Sequence, residues 1–340
     1  MYLIRLLLIS GFILLNNNSE AQDSIYLDSG MQAIIREDYT RALSCFEQFL
    51  DENPNSGLGY FQKGVCYMML EKTGPAIVDF NKAILLDTNL YEVYINRALA
   101  HQSAGNYTFA ETDLLLYKER FPRSKKTYLL LGNLMETMKD YNASVQYYTE
   151  YLELDATDTQ VLSLRALSYS ELGHTELALE DIDLCIRLAQ NPNLYWLVKG
   201  YIYTQNHDNS SAVDAYNIVL LQSPQNTEAL TYRAEALFAL GRYNESIEDY
   251  NTLIMKKGRK SNLIFDLANC HLQLGENKEA VALFTEALAL NYENTGVLLM
   301  FRGVAYHNMG MNAEACVDWK KSIESGTREA TSYQKMYCND

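Results

Sequence analysis

Proline is scarce in this sequence, five residues in 340, and tryptophan is scarcer at two. So little proline leaves no room for polyproline segments or proline-rich linkers and suits uninterrupted helices. Basic charge is also short: 28 Lys and Arg face 43 Asp and Glu, a formal net charge of −15. An acidic chain of this size repels nucleic acid and anionic membrane surfaces. The phosphate-cradling GxxxxGKS/T, the dinucleotide GxGxxG and the nucleophile elbow GxSxG are all missing. Five histidines are scattered, and the many Asp and Glu show no metal-loop spacing. Nothing here calls for an enzyme, a metal or a cofactor. Disorder is excluded too, because 48% of the residues are hydrophobic and 21% charged.

What is present begins with a leader. Arg5 carries a positive charge, residues 6–15 are apolar apart from Ser10 and Gly11, and Ser19-Glu20-Ala21 is a small-x-small site. That is the layout of a secretory signal peptide over residues 1–21, with cleavage expected after Ala21. The alternative is an uncleaved anchor, but about ten apolar residues are too few to cross ~30 Å of hydrocarbon. No cysteine flanks the run to take a lipid. The mature chain is therefore expected to be exported, in a periplasm or cell envelope or secreted, and not to span a membrane.

Beyond the leader the chain repeats every 34 residues. Units start at Asp23, Gly57, Tyr91, Lys125, Thr159, Asn193, Thr227 and Ser261, with a ninth at Gly296 after a one-residue slip at Thr295. The array runs over residues 23–329, and residues 330–340 follow as a cap or tail. Position 8 reads Gly30, Gly64, Ala98, Gly132, Ala166, Gly200, Ala234, Ala268 and Gly303. Position 20 is Ala or Ser in every unit, and position 24 reads Phe46, Phe80, Leu114, Tyr148, Ile182, Tyr216, Tyr250, Phe284 and Trp319. Small residues at 8 and 20 let two antiparallel helices approach closely, and the large residue at 24 fills the space beside the crossing. Gly105, Gly173, Gly241, Gly275 and Gly310 share position 15, where a left-handed C-cap is expected.

The unit from Asn193 carries Trp196, Gly200, Tyr203, Ala212, Tyr216 and Pro224 at positions 4, 8, 11, 20, 24 and 32. This spacing resembles the tetratricopeptide repeat (TPR), and the same period runs through the whole array. The resemblance implies an all-α TPR solenoid, a right-handed superhelix of antiparallel helix pairs, with a groove lined by first helices that takes a protein or peptide segment. Positions 5, 9 and 12 share one helix face, and by the resemblance that face lines the groove. There the first units read Leu27, Met31, Ile34, Phe61, Val65, Met68, Ile95 and Leu99. Such an apolar stretch is either a partner site or a face covered by packing or self-association. Further along, the face and its neighbouring position 6 become mixed, with Asn133, Glu136, Tyr201, Thr204, Tyr232, Glu235, Phe238, Asp266 and Asn269, a composition suited to recognition. The family's carboxylate-gripping subtype needs Lys at position 5, and no unit has one.

Of six cysteines, Cys45, Cys66, Cys185, Cys270 and Cys316 fall within expected helices, where a free thiol behaves as a small apolar group. Cys316 and Cys338 are the pair that a disulfide could join, pinning the tail. The basic runs at residues 123–126 and 256–260 lie at unit boundaries and are expected to be solvated turns. The function that follows is a non-catalytic, exported protein-interaction scaffold. An envelope glycan or small-ligand binder is the alternative.

Overall fold

Helix starts in this chain are marked by short polar side chains that cap free backbone N–H groups. Asp38, Ser56, Asp140, Asp208, Asn226 and Asn294 each accept from a backbone N–H two or three residues on. The computed structural model describes residues 25–338 and shows nineteen helices and no strand among them. It divides into two compact units, one ending at Ser168 and the other beginning at Tyr169. The leader expected at residues 1–21 lies outside the described residues.

The first unit opens with α1 (Ile25–Ile35) and α2 (Tyr39–Glu52), followed by α3 (Gly57–Met69) and α4 (Thr73–Leu86). Then come α5 (Glu92–Ser103) with α6 (Tyr107–Arg120), and α7 (Lys125–Thr137) with α8 (Tyr141–Leu152). Helix α9 (Thr159–Glu171) carries the chain over the division, and α10 (Thr175–Leu188) follows. The second unit continues with the pairs α11 (Asn193–Gln205) and α12 (Asn209–Gln222), and α13 (Thr227–Ala239) and α14 (Tyr243–Lys257). Its last pairs are α15 (Ser261–Gln273) with α16 (Asn277–Ala289), and α17 (Thr295–Asn308) with α18 (Asn312–Glu324). Helix α19 (Ala330–Tyr337) closes the described chain.

Each hairpin is built around the small–large contact that the period marks out. All nine residues at position 24 are buried, none more than 3% exposed. A Cβ added to Gly30 or Gly64 would meet the ring of Phe46 or Phe80 at 2.6 Å, and one on Gly303 would meet Trp319 Nε1 at 2.6 Å. Gly132 and Gly200 lie closer still to Tyr148 and Tyr216. At position 20, Ser144 and Ser246 fit in place of Ala because their hydroxyls are satisfied: Ser144 by Tyr141 O and the Ser168 hydroxyl, Ser246 by Ala234 O at 2.8 Å.

Position 15 is left-handed in all nine repeats. Glycine supplies it five times, as the sequence predicts, at φ between 75° and 78°. Glu37, Glu71, Lys139 and His207 hold it at φ 59–60° without glycine's freedom.

A second device recurs that the spacing did not reveal. A basic residue at position 7 forks onto an acid at position 23 of its own hairpin and reaches position 25 of the preceding second helix. Arg97 grips Asp113 at 2.5 and 2.8 Å and donates to Asn81 Oδ1 at 2.7 Å. Arg233 does the same with Asp249 and Asn217, and Arg302 with Asp318 and Thr285. Lys199, whose own hairpin has Ala215 at position 23, turns to Asp183 at 2.6 Å instead. Each such cation ties one hairpin to its predecessor, and the planar guanidinium makes the tie directional.

At the C-terminus α19 packs over α18. Tyr333 stacks on Trp319 at 5.4 Å, Ala330 is buried, and Cys316 and Cys338 form a disulfide. The other four cysteines are free, and three of them are buried. Four of the basic residues at the unit boundaries are engaged: Lys125 pairs with Asp155 at 2.8 Å, Lys126 with Glu92 at 3.8 Å, Lys256 donates to Gln225 O, and Arg259 forks onto Glu286.

Two substitutions separate these effects. Gly132→Ala should lower stability by about 1–3 kcal/mol, because Tyr148 has nowhere to retreat. Lys139→Gly should raise it by roughly 0.5–1 kcal/mol, since relief of the left-handed backbone outweighs glycine's entropy. Urea midpoints of the full chain check both, and a gain for the first or a loss for the second would contradict this account.

Candidate functional site

The apolar stretch near the N-terminus is not a surface. Ile34, Phe61, Val65, Ile95 and Leu99 are all buried, from 0 to 8% exposed. Leu27, Met31 and Met68 are half-buried and pack against the same clusters. The reason is the stacking of successive hairpins. Phe61 lies against Phe80 of its own hairpin at 6.1 Å and clusters with Val93 of the next first helix. Ile95 and Leu99 likewise cluster with Leu131 and Leu134. Positions 5, 9 and 12 do share a helix face there, but in the first unit that face is the seam between repeats. Five of these eight residues are spent on packing and are not open to a partner, while Leu27, Met31 and Met68 keep part of their surface.

The other two predicted residues have a different setting. Tyr201 on α11 and Tyr232 on α13 are both half-buried, with ring centroids 6.5 Å apart and planes 59° to one another. Tyr232 also stacks on Tyr216 at 5.9 Å. Glu235, one helical turn beyond Tyr232, is exposed as a residue, while partial burial of its carboxyl raises its pKa. Asp266 on α15 is half-buried, and burial together with the Glu235 charge pushes its carboxyl from 3.8 up to about 6. The charge on Glu235 is felt by Tyr216, Tyr232 and Tyr250 as well. Three first helices thus bring two tyrosine rings and two uncompensated carboxyls to one face of the second unit.

One member of this group escapes sequence reasoning. Tyr250 occupies position 24 and reads as core, and it is 3% exposed. Its counterparts show where such hydroxyls point. Tyr148 donates to Asn133 Oδ1 at 2.8 Å, and Tyr216 shares a hydrogen bond with Thr204 Oγ1 at 3.2 Å. Asn133 and Thr204 sit at positions 9 and 12 of first helices. In the hairpin of Tyr250 those positions are Glu235 and Phe238. The signal available beforehand was the tyrosine itself, in a slot that Phe, Leu or Ile fills in five other units.

Other candidates carry less. Among the described residues no group of three or more His, Cys, Asp or Glu is placed to hold a metal. A surface depression of about 450 Å³ in the first unit is lined by Asn81, Arg97, His101, Phe109 and Asp113. Its polar groups are mostly spent on the Arg97 fork, and His101 stacks on Phe109 at 5.2 Å.

Family models of the tetratricopeptide repeat match residues 126–158, 159–192, 197–261 and 263–298. A TPR repeat-containing protein of Methanocaldococcus jannaschii is 25% identical over 256 residues, 67% of this chain and 42% of that protein. DnaJ homolog subfamily C member 3 of Rattus norvegicus is 20% identical over 89% of this chain and 66% of its own length. The chain therefore spans less than two thirds of either relative. A crystal structure of a tetratricopeptide repeat protein from Parabacteroides merdae superposes with a TM-score of 0.55 at 24% identity, covering 73% of this chain and 99% of that one. At that identity the likeness concerns the fold.

The raised carboxyl of Asp266 has a signed consequence. A carboxyl whose folded pKa lies above its unfolded value holds a proton more tightly when folded, so its contribution to stability is complete below about 4 and is lost as pH rises through about 6. Asp266→Asn should therefore stabilise the protein more at pH 7 than at pH 5. Melting temperatures of both proteins at both pH values measure the difference, and an equal effect at the two would show Asp266 to be unstrained.

Proposed function

The chain belongs to the tetratricopeptide-repeat family, and from that premise we propose that it is a non-catalytic, exported scaffold holding a protein partner on the first helices of its second unit. Proteins of this family are generally protein-interaction scaffolds. The observation that carries the reading is the tyrosine–carboxyl face of Tyr201, Tyr232, Glu235 and Asp266, which mixes aromatic area with unspent polar groups. Two features support export. One is the leader layout of residues 1–21. The other is the Cys316–Cys338 disulfide, a cross-link that persists in oxidising compartments and is rare in reducing ones.

An aromatic photocrosslinking amino acid at Tyr201, with one at the buried Phe61 as control, tests the partner site in cells. The expected result is one recurrent protein captured from position 201 and nothing from position 61. Capture only of the chain itself would replace the partner with a second copy, and no protein adduct at position 201 would transfer the proposal to a glycan or small ligand. Non-reducing peptide mapping of the same material should join Cys316 to Cys338, whereas two free thiols would remove the structural support for export.

A further inference from the structure

We infer that Glu235, Asp266 and Tyr250 form a seat for a basic side chain, lysine or arginine, carried by an extended segment of the protein partner. The inference rests on the scaffold reading above and gives that partner a chemistry.

Neither the Glu235 nor the Asp266 carboxyl has a hydrogen bond or an ion pair in the structure, and nearby cations of the surrounding hairpins are committed elsewhere. Lys199 is spent on Asp183, Arg233 on Asp249 and Asn217, Arg242 on Glu245, and Arg302 on Asp318. Two carboxyls that repel one another across a partly desolvated face gain from any cation placed between them.

Tyr250 is 97% buried by its 3% exposure, yet its hydroxyl makes no hydrogen bond. In the other two tyrosine hairpins the hydroxyl at this place reaches first-helix position 9 or 12, which here are Glu235 and Phe238. Glu235 and Asp266 occupy positions 9 and 6 of successive first helices, the pair of places that brings Tyr201 and Tyr232 to 6.5 Å. The Tyr250 hydroxyl is not among the sealed-off polar atoms of the core, and the charges of both acids act on it. Tyr148 and Tyr216 at the same repeat position both have partners. An ammonium or guanidinium group donating to the Tyr250 oxygen and to the carboxyls would satisfy all three.

This protein already contains the filled form of such a seat. In the first unit, Lys118 Nζ lies 5.0 Å from the ring centroids of both Tyr128 and Tyr147 and 2.7 Å from Glu150 Oε2. Tyrosine rings with a carboxylate beside them hold a cation by ring electrostatics and a charged hydrogen bond together. The second unit presents the rings of Tyr232 and Tyr201 and two carboxyls, and there the chain supplies no cation to the carboxyls. A hard divalent ion fits less well, since it needs six or more oxygen ligands.

The test is selection of a random linear-peptide library on the mature full-length chain, followed by fluorescence anisotropy with the selected peptides. Peptides carrying Lys or Arg should be enriched, and replacing that residue with norleucine should weaken binding by about tenfold or more. The Glu235→Gln/Asp266→Asn variant should show the same loss and no longer distinguish the two peptides, which marks direct coupling. Tyr250→Phe should give a smaller loss with the ring packing intact. The double variant removes a repulsion and is expected to fold; circular dichroism checks this, and Glu235→Gln alone serves if it does not. Peptides selected without a basic residue and indifferent to the double variant would overturn the basic-side-chain inference and leave the scaffold standing. Failure to select any peptide would overturn both.

Discussion

The approach of a small residue at position 8 to a large one at position 24 is the contact on which the rest of this structure depends. Where glycine is used, no Cβ stands between the first helix and the ring, and the helices close to a distance that alanine would already disturb. That crossing fixes the rotation of both helices. It turns position 20 inward, sends position 5 toward the neighbouring hairpin, and leaves position 15 to reverse the chain in a single left-handed residue. Four repeats hold that conformation with Glu, Lys or His, so the packing on either side is strong enough to impose it.

Stacking one hairpin on the next needs more than apolar contact, because an apolar seam can slide. The forks of Arg97, Arg233 and Arg302 resist sliding: each guanidinium is bound in its own hairpin and in the one before. Their acids Asp113, Asp249 and Asp318 are 2–3% exposed, so removing the cation would strand a buried charge. Buried ion pairs add little net stability compared with well-packed apolar residues. This chain uses both solutions, with Leu131 and Leu267 at position 7 facing Tyr147 and Leu283 at position 23. The charged version adds direction.

The fold was legible because the period repeats the same steric demand at positions 8, 20 and 24 in every unit. The site was legible only in part. That Leu27, Phe61 and Ile95 share a face with their neighbours four and seven residues on follows from helix geometry. Whether that face meets solvent or the next hairpin depends on stacking, which no single helix encodes. Tyr201 and Tyr232 stand out in the sequence because polar neighbours interrupt the apolar pattern around them. Tyr250 does not, because a residue in a core slot reads as core, and only the structure shows that its hydroxyl lacks the partner its counterparts have.

The two acids and the tyrosine are costly as internal structure. Asp266 and Glu235 repel one another where solvent screens them incompletely, and the Tyr250 hydroxyl forgoes the hydrogen bond its counterparts make. Gln, Asn and Phe would fill the same space without those penalties. Groups that raise the free energy of the folded chain and make no favourable contact within it can lower free energy only when something from outside meets them. In a fold where Arg97, Arg233, Arg242, Arg259 and Arg302 are each placed against an acid, an acid pair left open beside tyrosines defines its occupant by charge.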